Sequence, residues 1–302
     1  MRQQTLRKIG ESGIIKNTAE QLLLDTEGLT EAFAGYSLRK LRSAYAGNCV
    51  RIRRANDNVE AQIGFSSNWI DKSAVDAHCT SNDGFVVAFL DQSGNGNNIA
   101  QPSAPLQFKI WDGSTRDWVA TIGGRPIIAP LVNNGQYSLT VIPAGTTAMS
   151  ICCISGCFGA VAPTAVLRTV AGGGGSVSGF TFPNRGYDPE IQEFQTPSQT
   201  DFVTGVAPTL NTSYVTGWSA TAGSPATTRV RFNGVTYLST AVPYAQNAAL
   251  GSIVLGGTGR FSSPNHSFQE AVWWLRDIGD VGLSLYAGNC LSSSQYGNVG
   301  YV

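Results

Sequence analysis

The sequence predicts an all-β protein, a sandwich of antiparallel strands. Three observations carry this expectation. Glycine supplies 35 of 302 residues, charged residues only 13% and apolar residues 42%, a balance that suits many short strands and tight turns rather than helices or disorder. The apolar run Phe85-Val-Val-Ala-Phe-Leu90 leads straight into Asp91-Gln-Ser-Gly-Asn-Gly96, where glycines reach positive φ and Asp, Ser and Asn bond to nearby amides. Residues 227–232 and 235–240 flank Asn233-Gly234, the commonest two-residue hairpin turn.

Taken in order, residues 1–30 are polar and mixed in charge and end in Leu22-Leu-Leu-Asp-Thr-Glu-Gly28. They read either as an arm or short helix ordered by a partner, or as a strand or cap packed on its own domain. The expected division is an N-terminal docking segment over 1–35 and one β-sandwich domain over 36–302. From 31 to 45 the pattern turns helical, with Leu38, Leu41 and Tyr45 on one side and Arg39, Lys40 and Arg42 on the other. Gly47 is the expected stop. Val50 and Ile52 then alternate with Arg51 and Arg53, which reads as a strand. The basic run from Arg39 to Arg54 reads as a solvated face paired with neighbouring acids. Further strands are expected over 86–90, 126–130, 148–155, 252–255 and 268–275, and the glycine run 172–175 as a loop.

Composition excludes several function classes. Net charge is zero, so the basic footprint of a nucleic-acid binder is missing. No run approaches membrane-spanning length. Met1-Arg-Gln-Gln-Thr-Leu-Arg-Lys-Ile-Gly10 has no apolar stretch behind its basic residues, so the expectation is synthesis without a secretory signal. The six cysteines (Cys49, Cys79, Cys152, Cys153, Cys157, Cys290) form no CxxC pair, and His78 and His266 are the only histidines. Both histidines read as surface-loop residues. No metal or other cofactor is expected, and the cysteines read as buried thiols. Sequence elbows for a serine nucleophile, HExxH and a P-loop are absent.

Two stretches carry a resemblance. Leu41-Arg-Ser-Ala-Tyr-Ala-Gly-Asn-Cys-Val-Arg-Ile-Arg-Arg54 and Asp91-Gln92-Ser93-Gly94-Asn95-Gly96 resemble the start of the catalytic domain of fungal α-L-arabinofuranosidase B, glycoside hydrolase family 54. That family has a concanavalin-A-like sandwich. Versions of the same runs resemble stretches of tail and particle proteins of tailed bacteriophages. The closing order of strand, Asn233-Gly234, strand, Leu255-Gly-Gly257, loop and Phe268-x-Glu270-x-x-Trp273 resembles laminin-G and concanavalin-like jelly rolls. It places Glu270 on a strand returning to the sheet centre.

The resemblance implies two carboxyls, about 5–5.5 Å apart in a retaining glycosidase. The family's acid/base aspartate follows a Gly-Gly pair. The matching stretch Val254-Leu-Gly-Gly-Thr-Gly-Arg260 has Thr258 there, and threonine cannot donate a proton near neutral pH. The family nucleophile is a glutamate in mid-domain. Pro189-Glu190-Ile-Gln-Glu193-Phe194 offers Glu190 and Glu193, which read equally as solvated loop acids. The family's adjacent cysteines resemble Cys152-Cys153, although Cys157-Phe158 aligns better and leaves a single cysteine.

Sugar binding without cleavage is the third theme. Ile110-Trp-Asp-Gly-Ser-Thr-Arg-Asp-Trp118 reads as a polar loop whose Trp111 and Trp118 could stack on a sugar, with Asp112 and Asp117 bonding its hydroxyls. Tyr187, Trp218 and Tyr244 are further aromatic candidates, each also readable as core. Together these readings predict a non-enzymatic structural component of a tailed-phage virion, a head decoration, neck or tail appendage with a lectin-like sandwich facing outward. Its partners would be other virion proteins through the N-terminal arm, further copies of itself and a host-surface glycan. It would touch neither nucleic acid nor membrane interior, and its location would be the virion. The alternatives are a glycan-binding adhesin on the particle and an active arabinofuranosidase-like glycosidase.

Overall fold

The computed structural model describes residues 21–128, 136–157, 167–171, 179–181, 190–194, 199–203, 212–221, 227–232, 235–239, 251–256 and 266–291. Two antiparallel sheets dominate. The first runs Ala34–Ser37, His266–Trp274, Ala148–Cys157, Thr212–Thr221, Thr227–Phe232, Val235–Ser239. The second runs Leu167–Ala171, Gly251–Gly256, Gln136–Ile142, Ile99–Ala100, Gly84–Phe89, Val50–Arg54, Glu60–Ile63, with Lys109–Asp112 added beside Gly84–Phe89 and Asp117–Trp118 beside Lys109–Asp112. A small third sheet joins Gly179–Thr181, Glu190–Phe194 and Gln199–Val203. This is the all-β jelly-roll sandwich the sequence predicts.

The sheets meet through alternating side chains. Met149, Ile151 and Cys153 of the first sheet share a buried cluster with Val50, Ile52, Val86, Phe89 and Tyr137 of the second. Phe89 meets Phe268 across the layers at 5.5 Å between ring centroids, edge to face. Tyr36 meets Trp273 in the same way at 5.6 Å. Each such ring pair adds about 0.5–1.5 kcal/mol beyond its area burial. The hairpin pattern is realised: Phe232 stands opposite Val235, two residues apart in register terms.

The other face of the first sheet is covered too. Ser150, Cys152 and Ile154 point away from the inter-sheet core, as period-two geometry requires. Cys152 and Ile154 join Val215, Val272 and Trp274 against helix α2 (Gly279–Leu291) and against Leu23, Leu24 and Leu29. Gly217 permits this approach, because a Cβ there would sit 2.7 Å from Leu283 Cδ2 and 3.1 Å from Cys152 Sγ. The chain from Leu22 onward is therefore part of the body, and the expected boundary at 35/36 falls inside the Ala34–Ser37 strand.

Three local expectations are corrected. No helix spans 31–45. The Ala34–Ser37 strand pairs antiparallel with His266–Trp274, and Leu38 and Leu41 are buried in different clusters, so their helical spacing is coincidental. Within the expected strand over 126–130, the described residues 126–128 do not form a continuous strand. Arg125–Pro126 pairs only with Thr121–Ile122, and Ile128 makes a single bridge to Phe268, while 129 and 130 lie outside the described residues. His78 belongs not to a loop but to the last turn of helix α1 (Lys72–Cys79), whose start is capped by Asp71 accepting from Ser73 N and Ala74 N. Helix α2 was not foreseen. Gly279, Gly282 and Gly288 give it poor intrinsic propensity, and burial of Leu283, Tyr286, Ala287 and Cys290 holds it instead.

Candidate functional site

The Asp91–Gly96 loop is a hydrogen-bonding hub. Asp91 is nearly fully buried, and its carboxylate accepts from Gly35 N (2.8 Å), Ser93 N (2.8 Å), Ser93 Oγ (2.7 Å) and Asn97 N (3.0 Å). Gln92 threads the next stretch. Its Oε1 accepts from Leu41 N at 2.8 Å, while Nε2 donates to the carbonyls of Ser37 (2.8 Å) and Arg39 (3.0 Å). Asn95 Nδ2 donates to the carbonyls of Ala32 and Phe33, both at 3.0 Å. Gly94 and Gly96 take φ of +97° and +75°, which explains their type. The loop thus fastens residues 32–41, whose backbone groups would otherwise be buried without partners.

That fastening sets up a buried ion pair. Arg39 Nε donates to Glu270 Oε2 at 2.7 Å and Arg39 Nη2 to Oε1 at 3.0 Å, a bidentate contact with both side chains 0% exposed. Ser37 Oγ adds a bond to Oε2 at 3.0 Å, and Arg39 Nη1 reaches Asn289 Oδ1 on α2 at 2.9 Å. The thiol of Cys290 and the phenol of Tyr286 flank the pair, and burial pushes both well above their ordinary pKa values. Arg39 is therefore not part of a solvated basic face. The neighbouring arginines fit that reading better: Arg51 pairs with Glu60 and Arg54 with Asp57 at the surface. Glu270 lies on the returning strand, as expected, but in a structural role.

The residues named from sequence separate. Trp111 is fully buried in the inter-sheet core, so it offers no open face to a sugar. Trp118 is half-buried and packs edge-on against it at 5.4 Å. Asp112 and Asp117 are engaged locally. Asp112 accepts from Ser114 N and Oγ, and Asp117 pairs with Lys72 at 2.8 Å, so both carboxyls are held below their ordinary range. Trp218 is also core. Glu190 and Glu193 lie on Glu190–Phe194, the central strand of the small third sheet, opposite Val203 and Thr200. Thr258, Tyr187 and Tyr244 lie outside the described residues. Cys152 and Cys153 are buried in separate clusters and are not joined to each other. Among the described residues no cluster of His, Cys, Asp or Glu has metal-binding geometry.

Comparison with known proteins gives a partial family match and a shared fold. A family model described as alpha-L-arabinofuranosidase B, catalytic, matches residues 24–150. Among solved structures, a GH54 α-L-arabinofuranosidase soaked with a cyclic sulfate inhibitor superposes with TM-score 0.61 at 17% identity, over 86% of this chain and 62% of that one. A glutamate-to-glutamine mutant of such an enzyme, soaked with 4-nitrophenyl α-L-arabinofuranoside, gives 0.63 at 18% over the same shares. An arabinofuranosidase complexed with arabinofuranosyl-α-1,2-xylobiose gives 0.61 at 17% over the same shares. No curated protein matches.

The chain thus has the GH54 β-sandwich fold and resembles the arabinofuranosidase B catalytic domain, while spanning 62% of those solved chains. These matches overturn the expectation of a non-enzymatic virion component. The matched model is of a catalytic domain, and the fold is the one arabinofuranosidases have.

Proposed function

We propose that this chain is a glycoside hydrolase domain acting on α-L-arabinofuranosides. The observation that carries the reading is the catalytic-domain match over residues 24–150, which contains the Asp91 hub and the segment it fastens. The fold shared with arabinofuranosidases over 86% of the chain supports it. On this reading Glu190 or Glu193 supplies the carboxylate that attacks or stabilises the sugar's C1. The two are alternatives for this one role.

Thr258 stands where the family's proton donor would. A hydroxyl does not protonate a leaving group near neutral pH, so the chemistry is expected to depend on leaving-group acidity. 4-Nitrophenolate departs without help, whereas a sugar alcohol needs a proton, and general acid catalysis is typically worth ~10²–10⁴ in rate. The test is release of nitrophenolate from 4-nitrophenyl α-L-arabinofuranoside by the wild-type chain, Glu190→Gln and Glu193→Gln. Turnover in the wild type, reduced at least a hundredfold in one variant, is the expected result. An inert wild type, or equal turnover in all three, would refute the proposal.

A further inference from the structure

A pocket of about 500 Å³ opens where the segment before Ala34–Ser37 meets the Asp91–Gly96 loop and the end of His266–Trp274. Its chemistry is set by Glu31, Phe33, Arg42, Asn95, Leu275 and Arg276. Arg42 donates from Nη1 to the Ser93 carbonyl at 2.6 Å and from Nη2 to the Thr30 carbonyl. Arg276 donates from Nη2 to the Gly28 carbonyl at 2.7 Å. Main-chain carbonyls orient a guanidinium but do not neutralise it. Among the described residues Arg42 has no carboxylate within ion-pair distance. Among the described residues Arg276 has only Glu31, at 3.9 Å, with the Glu31 side chain 80% exposed, and its buried Nε has no hydrogen-bond acceptor there.

Two fixed guanidiniums therefore share one concave site with a single loosely held counter-charge. The partly buried Phe33 and Leu275 form its apolar part. Asn95 spends its amide N–H groups on Ala32 and Phe33, which leaves its Oδ1 as an acceptor for a hydroxyl. Paired guanidiniums select carboxylates, and an apolar wall beside a hydroxyl acceptor suits a sugar ring. Pockets of this size hold small ligands.

We infer that this pocket is a carbohydrate site for a uronate residue on an acidic glycan. The choice of a glycan as the bearer of the carboxylate rests on the proposed glycosidase reading, while the choice of an anion rests on the pocket alone.

Calorimetric titration of the full chain with trigalacturonate, with xylotriose as the neutral control and sodium sulfate as the sugar-free anion, tests it. Trigalacturonate should bind, and xylotriose and sulfate at least tenfold more weakly. Arg276→Gln should weaken trigalacturonate binding at least tenfold. Glu31→Gln removes the competing carboxylate at an exposed position and should tighten binding severalfold. These two variants avoid Arg42, whose loss could disturb folding. Raised salt should weaken binding. No binding of trigalacturonate, indifference to both substitutions, or equal binding of xylotriose or sulfate would overturn the inference. Glu190→Gln and Glu193→Gln should bind trigalacturonate like the wild type, so failure of the hydrolytic reading and failure of this one are told apart.

Discussion

Replacing Glu270 by glutamine leaves Arg39 charged and buried with no counter-ion at 2.7 Å. Both partners are 0% exposed, so water cannot compensate. At ~4 Å between charge centres and an effective dielectric of ~20, the lost attraction is about 4 kcal/mol. Breaking one side of a buried pair is typically worth ~3–5 kcal/mol. Glutamine keeps the volume and can still accept one bond, so Glu270→Gln should destabilise by about 3 kcal/mol, a large share of a total of ~5–15 kcal/mol. Urea unfolding followed by tryptophan fluorescence measures this, because Trp273 and Trp274 adjoin Glu270 on the same strand. The midpoint should fall with little change in slope. The double variant Arg39→Met, Glu270→Leu should lose much less than the sum of the two single changes, since no charge is then buried alone. Native hydrogen exchange should show α2 loosening first in the single variant, because Arg39 also holds Asn289. A loss under about 1 kcal/mol for Glu270→Gln, or additivity in the double variant, would refute the argument that an unpaired charge is what matters.

Other outcomes can be measured alongside. Asp91→Ala removes the acceptor of four hydrogen bonds, and leaving buried amides unpaired should lower stability by about 2–4 kcal/mol in the same urea assay. Thr258→Asp should raise hydrolysis of an alkyl arabinofuranoside by ~10²–10⁴ while changing the 4-nitrophenyl substrate far less; equal effects on both would mean that Thr258 does not occupy the donor position. The thiols make a pH prediction. Burial raises Cys79 to about 11 and pushes Cys49, Cys152 and Cys290 well above the ordinary thiol value. At pH 8 these groups are protonated, and only the thiolate reacts with a disulfide reagent. Native labelling at these four positions should therefore be negligible at pH 8 and complete after unfolding, as mass spectrometry of labelled peptides would report.

The sandwich was legible because period-two patterns and Asn-Gly chemistry are local. Residues 50–54, 227–232 and 148–155 announce themselves without knowledge of their partners. The Asp91 loop was legible for the same reason. Arg39 was not, because its meaning lies 231 positions away in Glu270, and within its own neighbourhood it looks like one more surface arginine. Leu38 and Leu41 mimicked a helix because they fall on opposite sides of a sheet edge by chance. Trp111 and Trp118 share one loop-like stretch, and nothing local says which indole turns inward. Helix α2 is held by what it covers rather than by its residues' preferences, so its glycines argued against it. For the proposed hydrolytic site, the resemblance points to Glu190 and Glu193 and departs from the family at Thr258, and all three lie beyond the 24–150 match.

The outer layer on the first sheet is woven from both extremities of the described polypeptide. Asn289 Nδ2 bonds to the Gln21 carbonyl at 2.9 Å, and Trp274 Nε1 to the Leu29 carbonyl at 3.0 Å. Gln21 and Asn289 consequently lie side by side on one flank of that layer. Fluorophores placed at Gln21 and Asn289 should transfer energy strongly in the native protein and lose that transfer when this clasp opens, giving a direct optical gauge of whether the outer layer releases before the sandwich itself melts.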